Sequence, residues 1–142
     1  MDVKEQRMIS LFNTTNYFAL GTLWKIKNYL WQKVIPDFVS KKDSGHHPAL
    51  SLGKKNLTSL CQTVPMLLGS HSNKEGFPIH NFSGTKKCDA GFFKIRPFLF
   101  CVSDATGPQK GIERNEHKPQ LEPREISELK TYLLKKGIRF DD

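Results

Sequence analysis

The stretch Gly45-His46-His47-Pro48-Ala49-Leu50-Ser51-Leu52-Gly53 is a short apolar run that begins with two histidines and ends at a glycine. Further along, Val64-Pro65-Met66-Leu67-Leu68-Gly69-Ser70-His71-Ser72 joins an apolar run to a polar turn. Short apolar runs bounded by turn residues predict β-strands. The sequence therefore places His47, Ser70 and His71 at the ends of neighbouring strands, where their side chains can act on one ligand.

The flanking sequence predicts further strands before and after these two. Strand-like runs bounded by turn residues occur at Tyr29–Val39, Pro48–Leu52, Leu60–Leu68, Phe77–Phe82 and Phe92–Val102. Pro65 indicates that its strand lies at an edge or contains a bulge, because proline has no N–H to donate. The run that ends at Val102 becomes fully apolar, which is typical of a strand at the centre of a sheet. Residues 103–121, rich in Gly, Pro and charge, predict an irregular loop.

One helix is predicted near the end of the chain, at residues 123–136. Pro123 suits its first turn, and Gly137 is a natural end. Ile126, Leu129 and Leu133 recur at a helical spacing, so they form one apolar face. Strands followed by a single helix predict a mainly β protein, in which a small antiparallel barrel carries a C-terminal helix. Residues 1–28 are expected to be a helical N-terminal extension, and residues 29–142 the barrel with its helix.

The charge of the chain favours a polyanionic partner. Its 142 residues hold 22 Lys and Arg against 14 Asp and Glu, a formal net charge of +8. An excess of this size is typical of proteins that bind nucleic acid. Three cysteines, an odd number, and an N-terminus without an export pattern predict reduced thiols in the cytoplasm. No apolar run approaches the ~20 residues that span a bilayer, so no membrane partner is expected.

The two opening stretches resemble the MazF/PemK-like toxins of type II toxin–antitoxin systems. Members carry Gly-His-Arg-Pro-Ala at the start of a strand, and Gly45, His46, Pro48 and Ala49 match it. His47 occupies the position of the family arginine. Ser70 lies where the family has Thr or Ser at the end of the next strand. The resemblance covers roughly residues 29–137 and implies a Src-homology-3-like barrel related to CcdB, closed by a C-terminal helix.

The resemblance also implies a function. Family members are endoribonucleases that cleave single-stranded RNA without a metal or other cofactor, and they leave a cyclic phosphate. They form homodimers and are neutralised by an antitoxin protein. Such cleavage needs an acid, a base and a donor to the phosphate. Imidazole suits both proton transfers, so the predicted catalytic residues are His47 and His71, with Ser70 as the donor.

Basic residues elsewhere predict the RNA-binding surface. Lys94 and Arg96 share one face of the last strand by its period of two and can form a cationic clamp on phosphate. His46 lies beside the predicted base. Lys54 and Lys55 lie in a turn, where they can follow an RNA backbone. Similar pairs occur at Lys41-Lys42 and Lys86-Lys87.

Other interpretations of the same residues stay open. The main alternative is a basic barrel that binds nucleic acid or protein without cleaving it. In that case the histidines are ordinary turn residues and Lys94 and Arg96 a solvated face. A gyrase poison of the CcdB kind is a third hypothesis, but the C-terminus carries no matching signature. The spacing of His80, Cys88 and Cys101 fits no paired Cys/His pattern, so no metal site is expected.

Overall fold

The structure is a computed structural model of the chain, and it describes residues 3, 18–36, 38, 45–53, 62–70, 76–80, 90–105 and 111–142. Within these ranges the strands are β1 Leu23–Lys27, β2 His46–Ser51, β3 Thr63–Ser70, β4 Phe77–His80, β5 Ala90–Cys101 and β6 Ile112–Arg114. The helices are α1 Asn28–Val34 and α2 Pro123–Lys136, with a 3₁₀ turn at Val102–Ala105.

The strands form one antiparallel sheet in the order β4-β5-β3-β2-β1-β6. This confirms a mainly β protein with strands at β2 to β5 and a C-terminal helix. The edges of the sheet are β4 and β6, and no pairing between those two strands occurs in the described part of the chain.

Each face of the sheet carries a buried core, and adjacent residues of a strand belong to opposite faces. One face is the α1-side core, which includes Trp24, Ala49 and Met66 together with Leu30 and Trp31 of α1. The other face is the α2-side core, formed by Leu23, Leu50 and Leu67 together with Leu129 and Leu133 of α2. Apolar residues therefore follow one another without alternation in these strands, as in other sheets covered on both sides.

Helix α2 has the bounds and ends that the sequence predicts. Pro123 is its first residue, and the Glu125 carboxylate accepts a hydrogen bond from the Glu122 backbone N–H at 3.1 Å, within a capping box. Gly137 ends the helix at φ 71°, in the left-handed region that glycine adopts without a Cβ clash. Leu129 and Leu133 are fully buried and Ile126 is half-buried, so the predicted apolar face packs on the sheet.

The predicted strand at Tyr29–Val39 is wrong, because residues 28–34 form α1. Its aromatic and β-branched content is typical of strands. However, Leu30, Trp31 and Val34 follow a helical spacing, and all three contact the α1-side core. Burial of Trp31 and Leu30 therefore outweighs the local preference of this segment for a strand, and the segment is helical.

The domain boundary expected after residue 28 does not fall between an extension and the sheet, because the sheet already includes residues before it. β1 pairs with β2 on one side and with β6 on the other, so residues 23–27 are an inner strand and not a helix. Residues 112–114 form the edge strand β6 within the segment predicted to be an irregular loop. Both strands are short, and β1 gains its order from Trp24 and Ile26, which are completely buried.

Pro65 lies in an inner strand, not at an edge. β3 pairs with β2 and β5, and the register irregularity lies further along, between Leu67 and Gly69. The Pro65 carbonyl accepts a bond from the Leu52 N–H at 2.9 Å, just beyond the end of β2. In an antiparallel strand the N and the C=O of one residue face the same neighbour. The N–H that Pro65 lacks would therefore point towards β2, which has already ended at Ser51.

The C-terminal residues return to the end of β2. The Asp141 N–H donates to the Leu52 carbonyl at 2.8 Å, beside Gly53 at φ 95°. A Cβ on Gly53 would overlap the Asp141 carbonyl oxygen, whereas a Cβ on Gly137 would meet no atom within 4 Å.

We expect Gly53→Ala to destabilise the protein more than Gly137→Ala. A left-handed alanine costs about 1–2 kcal/mol at either position. Gly53→Ala adds overpacking against the C-terminal residues, a further cost of about 1–3 kcal/mol. The two free energies of unfolding are compared by urea denaturation. Equal losses would show that the C-terminus does not pack on β2.

Candidate nucleic-acid interface

The predicted site residues fall in three places. His46 and His47 open β2, Ser70 ends β3, and Lys94 and Arg96 lie in β5. Outside the described residues are His71, Lys54, Lys55 and the lysine pairs at 41–42 and 86–87.

His46 and His47 lie on opposite faces of the sheet. His47 is paired with Ile26, which is buried in the α1-side core, and His46 is paired with the exposed Lys27. Residues directly opposite each other in an antiparallel pair share a face. The structure therefore brings His47 to the face covered by α1 and does not bring His46 to it.

Contacts from α1 and its C-terminal extension hold His47. Its Nδ1 lies 2.7 Å from the Asn28 Oδ1, and its ring meets the Phe38 ring edge-on at 5.0 Å. Its carbonyl oxygen accepts a bond from the Trp31 Nε1–H at 3.4 Å. Burial of the ring, with a smaller contribution from the charge of His46, holds the pKa of His47 below its ordinary value of 6.5. The imidazole is therefore neutral at pH 7 and can accept a proton.

Aromatic side chains extend the surface from His47 towards β5. Phe38 lies 6.4 Å from the Trp31 ring, and Trp31 meets Phe98 edge-on at 6.2 Å. The Arg96 guanidinium lies over the Phe98 ring, 5.4 Å from its centroid, in a cation–π contact. We call Phe38, Trp31 and Phe98 the aromatic strip. His47 lies at one end of this strip and Arg96 at the other.

Several side chains of the aromatic strip and its two ends are accessible to a ligand. Trp31 is completely buried at its centre, while Phe38, Phe98 and His47 are half-buried and Arg96 is exposed. Half-buried rings can stack with unpaired bases, and an exposed guanidinium can bind phosphate.

Lys94 and Arg96 lie where the register of β3 and β5 shifts. Leu67 pairs with Pro97 and Gly69 with Phe93, so residues 94–96 all lie opposite Leu68. Bulges of this kind re-aim side chains and are frequent beside functional sites. Arg96 contacts the aromatic strip, whereas no described contact joins Lys94 to it.

Ser70 ends β3, and no described pairing joins it to His47. The β2–β3 ladder is described as far as the pair Ala49 and Leu68. The structure describes the backbone of Ser70 but not its side chain.

His46 faces a separate polar pocket on the other side of the sheet. This pocket, of about 50 Å³, is lined by Lys25, Lys27, His46, Gly111 and Glu113. The Lys25 ammonium lies 4.0 Å from the Glu116 carboxylate. Glu113 in the lining and Glu116 beside Lys25 therefore offset part of the charge of the two lysines.

Neither a metal cluster nor a membrane helix is found among the described residues. No group of three or more His, Cys, Asp or Glu side chains there is placed to hold a metal ion. No described helix is both long enough and apolar enough to cross a bilayer.

Sequence reasoning missed Asn28 and the aromatic strip. Asn28 is nearly completely buried and was assigned to the N-terminal extension, while Trp31 and Phe38 were assigned to a strand. The signal that could have found them is the helical spacing of Leu30, Trp31 and Val34. That spacing predicts an α-helix in the segment that precedes the two consecutive histidines of β2.

Comparison of the chain with protein-family models, with curated proteins and with solved structures finds no match in any of the three. The geometry around His47 therefore carries the functional argument.

We expect His47 to make the stability of the protein depend on pH. Because the pKa of His47 is lowered in the folded state, the unfolded chain binds more protons near pH 6.5. The free energy of unfolding therefore rises with pH up to the ordinary pKa and falls as the solution is acidified below it.

Urea denaturation between about pH 5 and 7.5 measures this effect, since that range brackets the ordinary imidazole pKa of ~6.5. The contribution of His47 is the free energy of unfolding of the wild type minus that of His47→Gln at the same pH. This difference should increase with pH. The exposed His117 provides the matched variant His117→Gln, which controls for the loss of a histidine away from the core. A difference that is flat or falls with pH would contradict the description of His47.

Proposed function

We propose that the protein is a metal-independent endoribonuclease that binds single-stranded RNA along the aromatic strip and cleaves it at His47. The observation that carries the proposal is a half-buried imidazole bonded to Asn28 at one end of a strip whose other end is the Arg96 guanidinium. Closure of the sheet into a Src-homology-3-like barrel, as in the MazF/PemK-like toxins, is part of the same proposal.

The proposed reaction is an internal transfer of the phosphodiester. The ribose 2′-oxygen attacks phosphorus while a base removes its proton, and the bond to the leaving 5′-oxygen breaks as an acid protonates it. The products are a 2′,3′-cyclic phosphate and a free 5′-hydroxyl. His47 is the base, because its lowered pKa leaves it unprotonated at neutral pH.

The other roles follow from position in the chain. His71 directly follows Ser70 in the sequence and is the proposed acid, with Ser70 as a donor to the phosphate. Arg96 is the proposed cation that offsets charge on the phosphate, since guanidinium binds phosphate oxygens in pairs. Lys54, Lys55 and Lys94 are proposed to bind phosphates of the RNA backbone.

Single-stranded RNA suits this surface better than a duplex. Each base stacked on an aromatic ring contributes about 1–3 kcal/mol, and only unpaired bases present a free face. Phe38 and Phe98 provide two half-buried rings, each next to Trp31. The net charge of +8 adds an attraction that salt weakens.

The second candidate is a nucleic-acid-binding protein that does not cleave. It is favoured by the cation–π pair of Arg96 and Phe98, which serves binding without any reaction, and by His47 at the position of the family arginine. This candidate predicts salt-sensitive binding of RNA without products. Homodimer formation and neutralisation by an antitoxin in the cytoplasm belong to the first candidate only.

We expect purified protein to cleave single-stranded RNA in the presence of a metal chelator. His47→Ala should lower the rate by about 10²–10⁴-fold, the range for one general base. His117→Ala, at an exposed histidine in the turn after β6, should cleave at the wild-type rate. Product ends are analysed for cyclic phosphate, and the fold of each variant is checked by thermal unfolding.

One result would reject the nuclease, and another would reject His47 as its base. RNA that is bound but never cut would leave the binding protein as the function. Cleavage that survives in folded His47→Ala would show that another group is the base.

A further inference from the structure

Asn28 is a buried polar residue at the junction of β1, α1 and β2. Its relative exposure is 1%. Its backbone N–H donates to the Gly45 carbonyl at 3.0 Å, and its Oδ1 lies 2.7 Å from the His47 Nδ1. A buried amide is costly unless it is hydrogen-bonded. The bond to His47 therefore holds both side chains in place.

The direction of this bond decides which ring nitrogen carries a proton. An amide oxygen can only accept, so the His47 Nδ1 must be the donor. In a neutral imidazole a proton on Nδ1 leaves Nε2 with its lone pair. The nitrogen that can take a proton from a ligand is therefore Nε2.

We propose that Asn28 is a positioning residue that holds His47 in the tautomer protonated at Nδ1, so that Nε2 is the basic atom of the site. The catalytic consequence rests on the proposed nuclease function. The tautomer itself is a property of the protein without RNA, so it can be tested separately.

An amide suits this role better than a carboxylate would. Asn28 accepts the Nδ1–H bond without a full negative charge, which would stabilise the imidazolium and raise the pKa of His47. The groups that the other elements place at His47 are uncharged: Phe38 meets its ring, Trp31 of α1 donates to its carbonyl oxygen, and Ile26 of β1 is its partner in the strand register. Among the described residues, the titratable group that acts on His47 is His46, and its charge also favours the neutral ring.

The test measures the ring nitrogens of His47 by ¹⁵N NMR in wild type, Asn28→Leu and Asn28→Asp. In the wild type above the His47 pKa, Nδ1 should be protonated and Nε2 not. Asn28→Leu, which keeps the branched shape of the side chain but has no acceptor, should lose this preference. Asn28→Asp keeps the acceptor, so the tautomer should be retained while the pKa of His47 rises. Gln32→Leu, at an exposed position of α1, is the matched control and should leave both unchanged.

Kinetics with RNA provide the second readout. Asn28→Leu should lower kcat/KM by at least ~10-fold, since a general base contributes about 10²–10⁴-fold. Asn28→Asp should instead move the acidic limb of the kcat/KM profile to higher pH. A purely structural role for Asn28 would lower the stability of the variants without this shift.

The outcomes separate the two proposals. A wild-type His47 protonated at Nε2, or an unchanged tautomer in Asn28→Leu, would overturn the positioning role even if RNA is cleaved. The expected tautomers in a protein that never cleaves RNA would support the positioning role and reject the nuclease. If Asn28→Leu does not fold, Asn28→Asp decides, and an unchanged pKa of His47 in that variant would overturn the proposal.

Discussion

Burial of both faces of the sheet is the constraint on which the rest of the structure depends. Apolar neighbours such as Leu23 and Trp24, or Leu50 and Ala49, point to opposite sides, so neither face can be left to water. α2 covers one face, and α1 with Phe38 covers part of the other. A sheet covered on both sides presents ligand-binding groups only where that cover ends. His47 and the half-buried rings of the aromatic strip lie at such a margin of the α1-side core.

The properties of His47 follow from this position. His46, one residue earlier in β2, faces the polar pocket with Lys25 and Lys27, where carboxylates are close. His47 instead faces aromatic rings and a buried amide, which keep its ring neutral and fixed. The same packing that stabilises the α1-side core thus orients the imidazole. Preorganisation of this kind, with partners on rigid elements, is what general base catalysis needs.

The sequence predicted well those elements whose local signals agree with their packing. Pro123 and Gly137 defined α2 to the residue, and turn residues bounded β2 and β4. It failed where burial overrides local preference, as in α1, whose aromatic residues are typical of a strand but pack as a helix around Trp31. The histidines were found from their position at strand ends. Their separation onto two faces needed the register of β1 and β2, and Asn28 needed the tertiary contact between α1 and β2.

The most direct test of the central claim, that RNA binds along the aromatic strip, uses the two consecutive histidines as probes of the two faces. A single-stranded oligonucleotide with 2′-deoxy sugars cannot be cleaved, and its titration is followed through the ring resonances of His46 and His47. The account predicts that the His47 resonances shift with saturation while those of His46 stay in place. Shifts at His46 with His47 unchanged would place the ligand on the opposite face and contradict the account.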